Sequence, residues 1–250
     1  MADPVLPPWE GDPLSTFLSD AQRNERVSSL KMPDVYALLQ RMHATFQRVA
    51  EITERENDPN LLPTRFLMAR AHAAWFAAVR AALSAQTVEA YPLARAVVEN
   101  AWYALHLAKD GNAPTRAKIW LCRDDDAAAE KRCANEFSIT NVRATHAALD
   151  PVTEAAAHKV YKSTIQFGGH PNERSVLAAT IRTSEGFGAV FLTNNPVLIA
   201  AALKGAIEAG VVALKTFELV FPARFAIMGV DREIAALVDS LNTVFKKYAA

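Results

Sequence analysis

Three side chains that could bind an anion or transfer a proton lie close together between residues 93 and 109. On a helix, Arg95, Glu99 and His106 would lie within about 40° of one another around the axis. The other faces of this segment are almost entirely apolar. The polar stripe therefore either faces solvent or lines a pocket inside a helical bundle, where Arg95 and Glu99 would pair and His106 could titrate near neutral pH.

A glycine-rich turn, GGHPN, supplies a second group of candidates. Its two glycines allow a sharp turn, Pro171 holds His170 in an extended conformation, and Asn172 can hydrogen-bond to its own backbone. The turn either fixes His170 for a ligand or simply ends a helix and directs the chain onward. The predicted ligand-binding residues are Arg95, Glu99, His106, His170 and Asn172.

An arginine and a histidine two helical turns apart form an alternative, catalytic pair. Arg65 and His72 share a helix face because seven residues span about two turns. A histidine that moves protons beside an arginine that holds phosphate could cleave RNA without a metal ion. The same spacing also arises by chance in many helical proteins, so the pair stands as an alternative only.

Metal and cofactor sites are not indicated by any motif. The chain has no CxxC, HExxH or repeated Glu-x-x-His string, which are the common patterns of zinc and di-iron sites. It also lacks GxxxxGK[ST], GxGxxG and GxSxG strings, so the usual grounds for a nucleotide-binding or hydrolase assignment are missing. We therefore predict no metal and no cofactor.

The elements that must position these residues are predicted to be helices. Hydrophobic residues make up 51% of the 250 residues and glycines number only 9, a composition that favours an all-α fold. Helical periodicity predicts a bundle of about eight or nine helices in a single domain, 14–250, after an extended or disordered tail, 1–13. Four glycines and β-branched runs interrupt that periodicity, which predicts a small β-hairpin near 175–193.

Two long apolar segments, beginning near Pro63 and Pro92, are predicted to form a central antiparallel helix pair. A third apolar segment, 196–221, carries four charges that would lie on one narrow stripe of a helix. These charges favour a core helix over a membrane span, so no membrane association is expected.

Charge and cysteine content restrict the partners. With 27 basic and 27 acidic residues the net charge is zero, so a nucleic-acid partner is unlikely on general electrostatics. Two cysteines and no secretory segment predict a cytoplasmic protein. A local excess of arginine between residues 61 and 109 makes a phosphate or carboxylate a natural ligand.

Two strings, RAVVENAWYALHLAKD and KVYKSTIQFGGHPN, carry a family resemblance. With the hairpin-like insert and the long apolar helix, the chain resembles an uncharacterised family of bacterial helical proteins. That family is loosely similar to the HEPN helical bundles of toxin, defence and stress systems. The resemblance implies a shared polar site at Arg95, Glu99 and His170, and the spacing of Arg65 and His72 resembles the Arg and His of HEPN ribonucleases.

Three functions follow as hypotheses. The first is a cytosolic helical bundle that binds a small anionic ligand or a partner protein through an internal polar site. The second is a HEPN-like, metal-independent endoribonuclease, and the third is a purely structural or interaction protein. A homodimer is also expected, because segments 15–30 and 231–248 are amphipathic and two-fold dimers are the commonest oligomers.

Overall fold

The computed structural model describes residues 11–110, 115–169, 173–184 and 186–248. Within these ranges the chain forms twelve α-helices and one two-stranded hairpin, and nine of the helices are ten residues or longer. The all-α bundle is therefore confirmed. The helices are α1 (Pro13–Lys31), α2 (Pro33–Glu54), α3 (Leu62–Leu83), α4 (Thr87–Ala108), α5 (Thr115–Leu121), α6 (Ala127–Glu136), α7 (Ile139–Leu149), α8 (Pro151–Thr164), α9 (Glu173–Ala178), α10 (Pro196–Val220), α11 (Pro222–Met228) and α12 (Val230–Val244).

Three helices begin with the same local signal, an Asp or Asn followed by proline. The side chains of Asp12 and Asp150 each accept two backbone N–H groups of the first turn, and that of Asn195 accepts one. The proline that follows each cap has no N–H to leave unpaired, so it is well suited to the first helical position. This signal fixes the starts of α1, α8 and α10. Residues 1–10 of the predicted tail lie outside the described residues.

The core is built on the antiparallel pair α3 and α4, as the sequence predicted. The Thr64 hydroxyl, near the start of α3, donates to the carbonyl of Ala104, near the end of α4, at 3.2 Å. Helix α10 packs across both. It approaches α3 closely at Gly210, where an added Cβ would lie 2.8 Å from Cδ1 of Trp75. A larger residue at this position would separate the helices.

The hairpin is confirmed but is shorter than predicted. Strand β1 (Thr180–Thr183) pairs antiparallel with β2 (Gly186–Ala189), with Ile181 opposite Gly188. The first part of the predicted 175–193 insert belongs instead to helix α9. Six residues are too few to display a 3.6-residue period, which is why the sequence pattern missed this helix.

One helix in the described part of the chain, α10, is long and apolar enough to span a membrane by length and composition alone. Within its most apolar window, 61% of the residues are buried inside the fold. It packs against α2, α3, α4, α8 and α12. This burial favours the predicted core helix, since core helices of soluble proteins pass the same test.

Candidate functional site

The predicted pairing of Arg95 with Glu99 forms on α4. Nε of Arg95 donates to Oε1 of Glu99 at 2.7 Å, one helical turn away. The Tyr161 hydroxyl of α8 lies 3.3 Å from the same carboxylate oxygen, and the Arg95 guanidinium lies over the Tyr161 ring, 5.3 Å from its centroid. Tyr161 is buried, and burial together with the nearby Glu99 carboxylate raises the pKa of its hydroxyl. The pair is thus half covered by α8.

His106 lies deeper on the same stripe and is almost fully buried. Its Nε2 lies 3.1 Å from Oε1 of Glu136, and its Nδ1 lies 2.7 Å from the Thr145 hydroxyl. Arg116 donates to the same Glu136 oxygen at 2.8 Å and to the His106 carbonyl at 2.9 Å. Both ring nitrogens of His106 therefore have protein partners, and its role as a ligand-binding residue stays a prediction.

Burial and the positive charge of Arg116 lower the pKa of His106. The neutral ring donates its Nε2 hydrogen to the Glu136 carboxylate, which leaves Nδ1 to accept from Thr145. In this state the ring bridges α4 to α6 and α7. The titration near neutral pH that the sequence predicted is shifted to lower pH by this environment.

A second buried histidine, His146 of α7, faces Trp102 of α4. The indole Nε1 of Trp102 donates to Nδ1 of His146 at 2.9 Å, and both side chains are fully buried. Because an indole only donates, Nδ1 must be unprotonated and the ring hydrogen must lie on Nε2. That Nε2 has no hydrogen-bond partner within the described residues. Burial lowers the pKa of His146, so the ring stays neutral.

The two glycines of the GGHPN string end a π-helical turn, Ile165–Gly169, that packs on the first half of α4. The Phe167 ring lies 5.4 Å from the ring of Tyr91, and a side chain at Gly168 would overlap the carbonyl oxygen of Val88. Val88 is four residues before Pro92, which has no N–H to bond that carbonyl. Position 168 therefore requires glycine, because the backbone there lies too close to the Val88 carbonyl to leave room for a side chain.

Tyr161 lies beside Glu99, whereas Phe167 lies beside Tyr91, about two turns earlier on α4. Over the π-helical turn the chain therefore runs toward the start of α4, away from the Arg95–Glu99 pair. Burial and the Glu208 carboxylate raise the pKa of Tyr91 to about 12, so its hydroxyl stays protonated. His170 and Asn172 themselves lie outside the described residues. Their convergence with Arg95 and Glu99 stays a prediction.

Arg65 and His72 lie on α3 in different environments. Arg65 donates to the carbonyl of Glu56 at 2.9 Å. His72 is sandwiched between the rings of Phe46 and Phe76, with centroids 4.5 and 4.6 Å away, and its Nε2 lies 3.3 Å from Nδ1 of His43. Burial and His43 lower the pKa of His72 to about 4.

These contacts make Arg65 and His72 poorly suited to cleaving RNA. Arg65 already bonds a backbone carbonyl, and a stacked imidazole with a depressed pKa is a weak base. The ribonuclease hypothesis stays a prediction. Within the described residues, no group of three His, Cys, Asp or Glu side chains is arranged to hold a metal ion.

A groove that the sequence did not single out runs along α10. It is formed by α8, α10 and α12 and encloses about 460 Å³. We call it the lysine groove. Its lining residues are Val152, Thr153, Ala156, Lys159, Val160, Ser163, Lys204, Glu208, Val211, Val212, Lys215, Val238 and Leu241.

The lysine groove combines an apolar floor with positive charge at its edges. Lys204 pairs with Glu208 at 3.2 Å, and Lys215 pairs with Glu218 at 2.8 Å. Lys159 is exposed and forms no ion pair within the described residues. The lysines thus outnumber the carboxylates, and Lys159 is available to an added anion.

A second hollow of about 430 Å³ continues the lysine groove toward the chain end. The two hollows share Lys204, Glu208 and Leu241. Lys246 lines the second one and forms no ion pair in the described part of the chain. Each hollow therefore has one cation without a protein partner.

Sequence reasoning missed Tyr161, His146 and the lysine groove for different reasons. Tyr161 and His146 belong to helices whose contact with α4 depends on the tertiary fold. The charged stripe on α10 was recognised, but only as a solvent-exposed face. A signal was present in α8, where Val152, Ala156, Lys159 and Ser163 recur at helical spacing beside that stripe.

Comparisons with known proteins add no information about function. No protein-family model matches the chain, and neither a curated protein nor a solved structure is significantly similar to it. The function must therefore be argued from the geometry of this chain alone.

Proposed function

We propose that this protein is a helical-bundle binding protein whose ligand is a small anion with an apolar portion. We further propose that the ligand lies in the lysine groove, not among Arg95, Glu99 and His106. The observation that carries the proposal is the apolar groove between α8 and α12 with Lys159 at its edge. A groove of about 460 Å³ is within the ~300–1,000 Å³ range of small-molecule sites.

The chemistry of the lining specifies the ligand class. Valine and leucine side chains gain free energy by covering an apolar chain, at roughly 25 cal/mol per Å² buried. Lysine ammonium groups at the edge attract a carboxylate, sulfate or phosphate while their stems cover apolar surface. A ligand with both parts satisfies the whole groove, whereas a purely polar anion would leave the valines in water.

The polar cluster on α4 is less suited to binding an anion. The positive charge of Arg95 is already balanced by Glu99 at 2.7 Å. Both ring nitrogens of His106 are bonded to protein groups. These side chains join α4 to α6, α7 and α8, and we assign them to holding α8, which forms one wall of the lysine groove, in place.

Calorimetric titration with three probes tests the proposal. Dodecanoate has the apolar chain and the negative charge, dodecyltrimethylammonium has the same chain with a positive charge, and acetate has the charge without the chain. All are used below the concentrations at which they form micelles. We expect dodecanoate to bind and the other two probes to bind at least tenfold more weakly.

Two charge variants locate the binding. Lys159→Glu should weaken dodecanoate binding about fivefold, since an exposed ion pair contributes up to about 1 kcal/mol. Lys118→Glu makes the same charge change on α5, outside the groove, and should leave the affinity unchanged. Equal binding of the cationic and anionic probes, or equal effects of the two variants, would refute the proposal.

A further inference from the structure

The β-hairpin is a two-stranded sheet in the described part of the chain. Strands β1 and β2 pair with each other, and no third strand joins them. A two-stranded hairpin is marginally stable alone, and open strand edges are templates for further association. The hairpin therefore has the features of an element that gains stability from a partner.

Large apolar side chains on and beside the hairpin face solvent. Phe187 is 82% exposed and Phe191 is 69% exposed, and Ile181 is half exposed. Since Ile181 pairs with Gly188 and Arg182 with Phe187, Ile181 and Phe187 lie on opposite faces of the hairpin. Exposed apolar groups concentrated in this way mark interaction surfaces.

An apolar cleft lies beside the hairpin, between it and the start of α1. It encloses about 1070 Å³, and the Phe17 ring meets the Phe191 ring edge to face at 6.5 Å. Leu177, Ile181 and Leu198 also line it. The chain thus carries a projecting apolar element and an apolar cleft next to each other.

The charges of these two features are complementary. Arg182 is exposed on β1 and forms no ion pair within the described residues. Asp20 lies on the α1 wall of the cleft. Its partner there is Arg23, one turn along α1, and the two side chains are 40% and 70% exposed. Such surface pairs are weak, so Asp20 can exchange Arg23 for another cation.

We propose that this surface is a homodimer interface in which the hairpin of each copy lies on the cleft of the other. Phe187 of one copy covers the apolar cleft of the second, and Arg182 pairs with the second copy's Asp20. Because one chain carries both halves of the contact, a two-fold axis forms both contacts at once. The second amphipathic segment, 231–248, is less suited to this role, since Ile234, Leu237 and Leu241 of α12 are buried inside the fold.

Sedimentation velocity over a broad range of protein concentration tests this interface. We expect the wild type to dimerise and Phe187→Ser to raise the dimer dissociation constant at least tenfold. Ile227→Ser is the matched control, because Ile227 of α11 is 83% exposed at a different surface and its loss should not change dimerisation. Circular dichroism should be unchanged in both variants, since neither side chain is buried.

A charge exchange tests the pairing itself. Arg182→Asp and Asp20→Arg should each weaken the dimer, and the double variant should restore it because the two charges then complement each other again. A wild type that stays monomeric at every concentration would overturn the proposal. So would a dimer that Phe187→Ser leaves intact, or single charge variants whose effects simply add in the double variant.

Discussion

Helices α4 and α10 have the same sequence pattern, but their polar stripes make different contacts. Each has one narrow stripe of charged side chains on an otherwise apolar surface. On α4 the stripe side chains bond to α6, α7 and α8, and His106 is buried while Arg95 and Glu99 stay partly exposed. On α10 the stripe forms part of a groove, where Lys204 and Lys215 are partly exposed.

The difference shows what a polar stripe can and cannot specify. Its residue types and spacing determine which face of the helix is polar. Whether another helix covers that face depends on partners from elsewhere in the chain. On α4 the partners are aromatic and polar side chains of other helices, such as Tyr161 and His146, that hydrogen-bond to residues of α4. On α10 the neighbouring helices α8 and α12 leave a groove between them.

The largest expected effect is at Trp102, which lies on the same face of α4 as Arg95 because seven residues span about two turns. Trp102→Ala would remove a fully buried indole and the hydrogen-bond donor of His146. We expect the free energy of unfolding to fall by about 3–5 kcal/mol, measured by urea denaturation. Trp120→Ala, at a partly buried tryptophan of α5, should cost clearly less. Equal losses in the two variants would mean that the α4 stripe is not a packed interface.

The α4 stripe should also make stability depend on pH. The pKa of His146 is lowered in the folded protein, mainly by burial, from an unfolded value of about 6.5. Below that value the unfolded chain binds more protons than the folded one, so the His146 contribution to stability is complete above pH 6.5 and is lost as the pH falls. If Nδ1 of His146 were protonated, it would be a donor facing the Trp102 N–H donor, and the hydrogen bond between them would be lost.

His146→Asn isolates this contribution, because the asparagine side-chain oxygen can accept from Trp102 without titrating. Thermal melts between pH 7 and pH 5 should show a shallower loss of stability in the variant than in the wild type. Carboxylates titrate in both proteins and cancel in the difference. If the melting temperatures of wild type and variant fell equally between pH 7 and pH 5, the result would contradict a buried neutral His146.

A smaller effect compares matched ion pairs on the two helices. Glu99 and Glu208 both pair with a cation one turn earlier, and their side chains are 35% and 32% exposed. Glu99 also lies 3.3 Å from the Tyr161 hydroxyl of α8. Glu99→Ala should therefore cost about 1 kcal/mol and Glu208→Ala under about 0.5 kcal/mol, by urea denaturation. A larger loss of unfolding free energy in Glu208→Ala than in Glu99→Ala would contradict this expectation.

The cost expected at Glu99 is lower than it would be if the pocket predicted from the sequence enclosed the pair completely. A fully buried ion pair loses roughly 3–5 kcal/mol when one partner is removed. Helical spacing correctly predicted that Arg95 and Glu99 pair, but it contains no information on how far α8 covers them. The size of the stability loss on removing Glu99 depends on how much of the two side chains is exposed.

Much of the fold could be predicted because its signals are local. Asp150 before Pro151 and Asn195 before Pro196 define helix starts within a few residues of sequence. The lysine groove could not be predicted, since Lys159 and Lys204 are 45 residues apart in the chain and meet through packing. Helix α9 was missed because it is too short to show a period.

The central claim is that the lysine groove is open to a ligand, and blocking it tests that claim most directly. Ala156 is exposed and lines the groove, whereas Ala155 is exposed on α8 but does not line it. Both can be replaced by tryptophan without filling the core, and both variants change one position on the same helix.

Calorimetric titration with dodecanoate should give a loss of binding of at least tenfold for Ala156→Trp and wild-type affinity for Ala155→Trp. Thermal melts should show both variants folded. Equal affinity of wild type and Ala156→Trp for dodecanoate, or no binding by the wild type, would contradict the account.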